Sequence, residues 1–81
     1  NNNDISINIL NGILNINIHS FLKNDLSLSI YSIDGKEIHH SYLSSFVQQI
    51  DLNAIKSGIY FIRISDNTCG EIKFFNKFYL D

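Results

Sequence analysis

Few residues in this 81-residue sequence are of types that do chemistry: three histidines, at 19, 39 and 40, and one cysteine, Cys69. Nucleophilic catalysis needs a Ser, Thr or Cys beside a base that a third group orients, and no spacing here fixes such a triad. Cys69 stands next to Gly70 in a turn-like stretch with no basic residue adjoining it, so it reads as an incidental turn cysteine. His39 and His40 are neighbours and, on a strand, point to opposite faces; they cannot share one metal without a bulge and read as surface or half-packed side chains. Asp34, Asp51 and Asp66 fall at turns or strand ends, where Asp bonds nearby backbone amides, and they form no spaced calcium loop. Gly12, Gly35, Gly58 and Gly70 are isolated at separate turns, which excludes a phosphate-binding loop. Tyr31, Tyr42 and Tyr79 are candidates for a sugar-binding platform, with core or rim packing as the default. The expectation is a protein that is not an enzyme and uses no metal or cofactor.

The elements that would position any site follow from composition. Fifteen Ile and eleven Asn dominate, Pro, Met and Trp are absent, and Ile, Leu, Val and Phe number 30 of the 81 residues. That share exceeds the roughly 20% below which chains stay disordered, so the chain folds. It buries about 60–65% of its unfolded surface, enough for one core and one domain. One cysteine excludes a disulfide scaffold, and no apolar run approaches the roughly 18 residues of a membrane-spanning helix. The formal charge of −2 is scattered, with no basic stripe for nucleic acid. Residues 1–4, Asn1-Asn2-Asn3-Asp4, resemble no signal peptide and read as a linker remnant cut from a longer precursor, leaving 5–81 as the domain.

Alternation at period two recurs in short runs separated by Gly, Asn, Asp and Ser, the pattern of an antiparallel all-β domain. Ile5, Ile7 and Ile9 form one run and Leu14, Ile16 and Ile18 the next, joined by Asn11-Gly12, whose residues tolerate the positive φ of a tight hairpin. Residues 19–25 read as a connection. Leu26, Leu28 and Ile30 then alternate with Ser27, Ser29 and Tyr31, giving a half-buried strand with its small polar side outward. Asp34-Gly35 signals a second hairpin, returning through residues 36–41 with Ile38 inward. A fifth strand sets Phe46, Gln48, Ile50 and Leu52 against Val47, Gln49 and Asp51, with Gln48 its least apolar inward position. Residues 53–58 are too short for a stable helix and make one tight turn that tucks Leu52 and Ile55 inward. Residues 59–64 are nearly all apolar, as expected of a central strand that meets protein on both faces. After the turn cluster 66–70, Ile72 and Phe74 lead a last strand, with Phe75, Phe78 and Tyr79 out of phase. Seven short strands with this spacing favour a seven-stranded antiparallel β-sandwich, a barrel being the alternative.

Three segments together resemble the type A C-terminal sorting domain of proteins exported through the type IX secretion system. Residues 28–38 carry a strand, Tyr31, the Asp34-Gly35-Lys36 hairpin and a return strand. Residues 50–64 carry Asp51-Leu52, a short turn and Gly58-Ile59-Tyr60-Phe61, the most specific stretch. Residues 73–77 resemble the basic-apolar-apolar end of the family's last strand, with Lys73 and Lys77. Two features depart from the family: Asn8-Ile9-Leu10-Asn11-Gly12 stands where it has Tyr-Pro-Asn-Pro, and Phe78-Tyr79-Leu80-Asp81 runs past its lysine-rich terminus. The resemblance implies an Ig-like β-sandwich that follows an N-terminal cargo domain and engages the outer-membrane translocon. A sortase-like peptidase then removes it, or it stays with the cargo, secreted or at the cell surface. Recognition is expected on the C-terminal strand, residues 71–79, with Lys73 and Lys77 exposed. The rival reading is an Ig-like accessory module of a surface protein with an adhesive or carbohydrate-binding role. Further domains beyond Asp81 in the precursor would favour it.

Overall fold

A computed structural model of the chain describes residues 5–19, 25–43 and 46–81. The expected linker at 1–4 lies outside the described residues, as does most of the 19–25 connection. Seven strands form among the described residues: β1 (Ile5–Leu10), β2 (Ile13–Ile18), β3 (Leu26–Ser32), β4 (Glu37–Leu43), β5 (Val47–Asp51), β6 (Gly58–Asp66) and β7 (Ile72–Leu80). All pairings are antiparallel and make two sheets, ordered β1-β2-β5 and β4-β3-β6-β7. The sheets press their apolar faces together, as the alternation requires. Leu14 and Ile16 of β2 meet Leu28 and Ile30 of β3 and Ile62 and Ile64 of β6 in one core, every one of them fully buried.

The β1–β2 hairpin shows how two residues set a register. Asn11 and Gly12 take φ values of 54° and 77°, the left-handed pair that suits a two-residue hairpin. Gly12 also lies where a Cβ would run into the side-chain amide of Asn53. Gly12→Ala is therefore expected to cost about 1–2 kcal/mol through its backbone alone, plus a steric part. Urea denaturation measures the total, and in an Asn53→Ala background only the backbone part should remain.

Three expectations change in the folded chain. Ser27 and Ser29 are not on a solvated side: both are buried, because β3 lies between β4 and β6 and has a partner strand on each side. Ser27 is flanked by Tyr42 and Ser65, Ser29 by His40 and Arg63, and the Ser27 hydroxyl donates to Asn67 Oδ1 at 3.0 Å. Phe46 precedes β5 and is exposed rather than inward, while its carbonyl accepts the Ile18 amide at 2.8 Å. The out-of-phase aromatics of the last strand belong to one strand with two faces. Phe74, Phe78 and Leu80 turn to the core, and Phe75, Lys77 and Tyr79 turn out.

Other expectations hold. Gln48 is half-buried opposite Ile16, its amide satisfied by donating to the Tyr42 carbonyl at 3.3 Å. Ile38 packs against the core beside a bulge at Ile30/Tyr31, and the return strand runs on to Leu43. The 53–58 turn closes through Ile55 N–H to the Leu52 carbonyl at 3.0 Å, with Leu52 buried and Ile55 packed on the core. β6 is central, between β3 and β7; its inner face is buried and its outer face half-covered by side chains of its own sheet.

Candidate recognition site

Four segments meet at one pole of the sandwich. The Gly12 carbonyl accepts the Leu52 amide at 2.8 Å, which ties the β1–β2 turn to the start of the β5–β6 connection. In the other sheet Ser32 pairs with Tyr60 and Gly58 with Leu80, so the β3–β4 turn, the start of β6 and the end of β7 share that end. The sequence-predicted residues Asp34, Gly35, Lys36, Asp51, Leu52, Gly58 and Tyr60 are thereby gathered from two separate motifs. A shallow cavity of about 600 Å³ opens between the β3–β4 turn and the β5–β6 connection, lined by Asp34, Lys36, Ile38, Ile55, Lys56 and Tyr60. The Tyr60 hydroxyl donates to the Lys56 carbonyl at 2.6 Å and holds the connection against β6.

Two of the turns at this pole each carry a carboxylate that bonds its own turn. Asp51 Oδ1 accepts the Asn53 backbone amide and the Asn53 side-chain amide, both at 2.9 Å. These bonds, the backbone one first, hold the Asp51 pKa below the usual carboxylate range. In the β3–β4 turn, where Gly35 at φ 89° supplies the left-handed corner, the Ser32 hydroxyl donates to Asp34 Oδ1. That bond, followed by the Lys36 backbone amide, lowers the Asp34 pKa. A lowered native pKa means stabilisation that is present above the ordinary carboxylate value and lost as pH falls through the native one. The Asn53 and Lys36 amide shifts should therefore stay constant from neutral pH to mild acid. They should move only with a midpoint below about 3.9, the ordinary Asp value; an NMR pH titration checks this.

The remaining predicted residues are placed differently. Tyr31, Phe61 and Lys77 form one cross-strand row on the outer face of the four-stranded sheet. Lys73 is at the opposite end, near the β6–β7 turn, half-buried and paired with Glu71 at 3.1 Å, which raises its pKa; it is not the exposed lysine expected. Lys77 is exposed. Asp66 is almost wholly buried and accepts the Thr68 amide at 2.8 Å, the turn role foreseen for it, and Cys69 is free and exposed.

Tyr31, Tyr42 and Tyr79 do share one face, yet its rings are engaged with neighbours. Arg63 lies 5.2 Å over Tyr31, Lys77 lies 5.6 Å over Tyr79, Phe61 stacks with Phe75 and His40 meets Tyr42 edge-on. This ladder of ring pairs, which covers the outer side of β3 and β6, was not foreseen from sequence, because each pair joins residues from different strands or turns on strand phase. The opposite outer face carries an amide ladder, Gln49 Nε2 to Asn15 Oδ1 at 2.8 Å and Asn15 Nδ2 to Asn8 Oδ1 at 3.1 Å. Among the described residues, no three of His, Cys, Asp and Glu group as metal ligands would.

The architecture is that of an Ig-like β-sandwich with its distinctive residues at turns and on a terminal strand. A DUF3244 family protein with an immunoglobulin-like β-sandwich fold, from Bacteroides vulgatus ATCC 8482, superposes with a TM-score of 0.83 at 15% identity, over 96% of this chain and 84% of that one. The pattern of the secretion system C-terminal sorting domain matches residues 2–77, and the chain belongs to that family. A search of curated proteins finds no match. Membership makes the chain a sorting domain of a kind that is in general non-catalytic, serving export to the cell surface or secretion across the outer membrane. No helix among the described residues is long and apolar enough to cross a membrane.

Proposed function

We propose that this domain directs an N-terminally attached cargo protein through the type IX secretion translocon, after which a sortase-like peptidase removes it or anchors the cargo at the surface. The match over residues 2–77 carries this reading. Two further features support it: Asp34, Lys36 and Tyr60, from two separate motif stretches, line one cavity, and among the described residues β7 ends its sheet as an edge strand. An edge strand offers unpaired backbone groups, so a translocon component can recognise it by strand addition without any catalytic side chain.

The carbohydrate-binding reading fits the structure less well. Sugar platforms need free ring faces, and Tyr31, Phe61, Phe75 and Tyr79 each have one face taken by a neighbouring ring or cation.

The test is a fluorescent protein fused ahead of residues 1–81 in a bacterium with a working type IX system. Export to the medium or cell surface is expected, and Lys77→Glu, at an exposed position that leaves the core intact, should reduce it. Periplasmic retention of the unmutated fusion, with the domain folded, would sink the proposal.

A further inference from the structure

We infer that the free edge of β7 accepts an extended acidic strand of a partner protein, and that the Asn76 side chain occupies part of that edge in the unbound domain. The inference rests on the sorting reading for the origin of the partner; the chemistry rests on β7 itself.

β7 is nine residues long and, among the described residues, pairs only with β6, which leaves the other side of its backbone open there. The Lys77 backbone amide donates to Asn76 Oδ1 at 2.9 Å, a bond from a neighbouring side chain rather than from β6. Amides in an antiparallel strand alternate between its two sides, so Phe75 and Tyr79 turn their amides to the same open edge as Lys77. Asn76 thus satisfies the central one of three outward amides where a partner carbonyl would dock.

The side chains state what that partner carries. β7 contains Lys73 and Lys77 and no acidic residue. The other sheet edges differ: β1 is uncharged, β5 ends in Asp51, and β4 begins with Glu37 and has its Tyr42 carbonyl taken by Gln48. A second copy of β7 laid antiparallel about Phe75 would set Lys73 against Lys77, and like charges directly opposite are destabilising. The complementary strand is acidic opposite Lys77 and apolar opposite Phe75 and Tyr79, whose rings stand 59% and 64% exposed on that same face.

The probe is a capped peptide of alternating Thr in which an acidic centre is flanked by Val, Thr-Val-Thr-Glu-Thr-Val-Thr, with a twin carrying Lys in place of Glu. NMR on the full chain should show slowed amide exchange at Phe75, Lys77 and Tyr79 with the Glu peptide and weaker binding of the twin. Asn76→Ala, which frees the Lys77 amide, should tighten binding of the Glu peptide about five-fold, the worth of one exchanged hydrogen bond. Lys77→Glu should reverse the preference between the peptides. Equal binding of both peptides, no binding at millimolar peptide, protection at another edge, or an Asn76→Ala dimer that the peptide fails to dissolve would each overturn the inference. Because this assay uses the isolated chain, its failure leaves the export reading standing, and a chain that binds the peptide but is not exported refutes the sorting reading alone.

Discussion

A chain that stops at Lys77 should fail to fold, although the family's sequence pattern ends there. Phe78 and Leu80 are 7% and 5% exposed and belong to the core, not to a trailing tail. Phe78 stacks on Tyr60 with ring centroids 5.8 Å apart, and Leu80 closes the pole opposite Gly58. Replacing a buried Phe with Ala costs about 3–5 kcal/mol and a buried Leu about 2–5. A domain of this size has roughly 4–12 kcal/mol in total, so losing both side chains removes most or all of it. Circular dichroism of residues 1–77 should show no cooperative melt at temperatures where the full chain is folded. A transition within a few degrees of the full chain's would show that the last four residues are dispensable. Phe78→Ala and Leu80→Ala, taken singly, should give folded but weakened domains. Export experiments that shorten β7 must be read against this result, since deleting residues 73–81 would remove fold and recognition together.

Two isoleucines three positions apart should respond oppositely to truncation. Ile30 is fully buried at the centre of β3, between His39 and Ile62, and Ile30→Ala should cost about 2–5 kcal/mol. Ile33 is 69% exposed in the β3–β4 turn, and Ile33→Ala should fall within about ±0.5 kcal/mol. Urea midpoints of the two variants measure the contrast, and equal losses would contradict the placement of β3 in the middle of its sheet.

The strands were legible because alternation is a local signal. Ile5, Leu14, Ile16, Leu28, Ile30 and Ile50 all turn inward as their phase requires, and Asn11-Gly12 sets a hairpin through dihedrals those two residues accept on their own. The turn carboxylates were legible for the same reason: Asp51 and Asp66 bond amides two residues along the chain. What failed was whatever depended on a strand's neighbours. Ser27 and Ser29 read as solvated because they are small and polar, and they are buried because β3 is an inner strand whose neighbours set Tyr42 beside Ser27 and His40 and Arg63 beside Ser29. Lys73 is a separate case: it read as exposed, and it is half-buried and held by Glu71 two residues earlier, a local contact that the strand phase alone does not show.

The candidate site divides along the same line. The sequence named both motif stretches, Tyr31 to Lys36 and Asp51 to Phe61, because each is contiguous. Only the fold brought Asp34 and Lys36 to the same cavity as Tyr60, since that depends on pairing β3 with β6 at distant chain positions. The departure at Asn8–Gly12 acquires a structural sense here too: without proline, a left-handed Asn-Gly turn joins β1 to β2 and bonds the β5–β6 connection through Gly12.

By itself, then, the sequence determined the all-β class, the strand phases, the turn chemistry and the family, all of which are written in residues near one another. The tertiary structure decided which strands became edges, which polar side chains were buried, and that Phe78 and Leu80 belong to the core. Those outcomes depend on which strands pair and how the two sheets face each other, and that long-range pairing leaves no period in the chain to read.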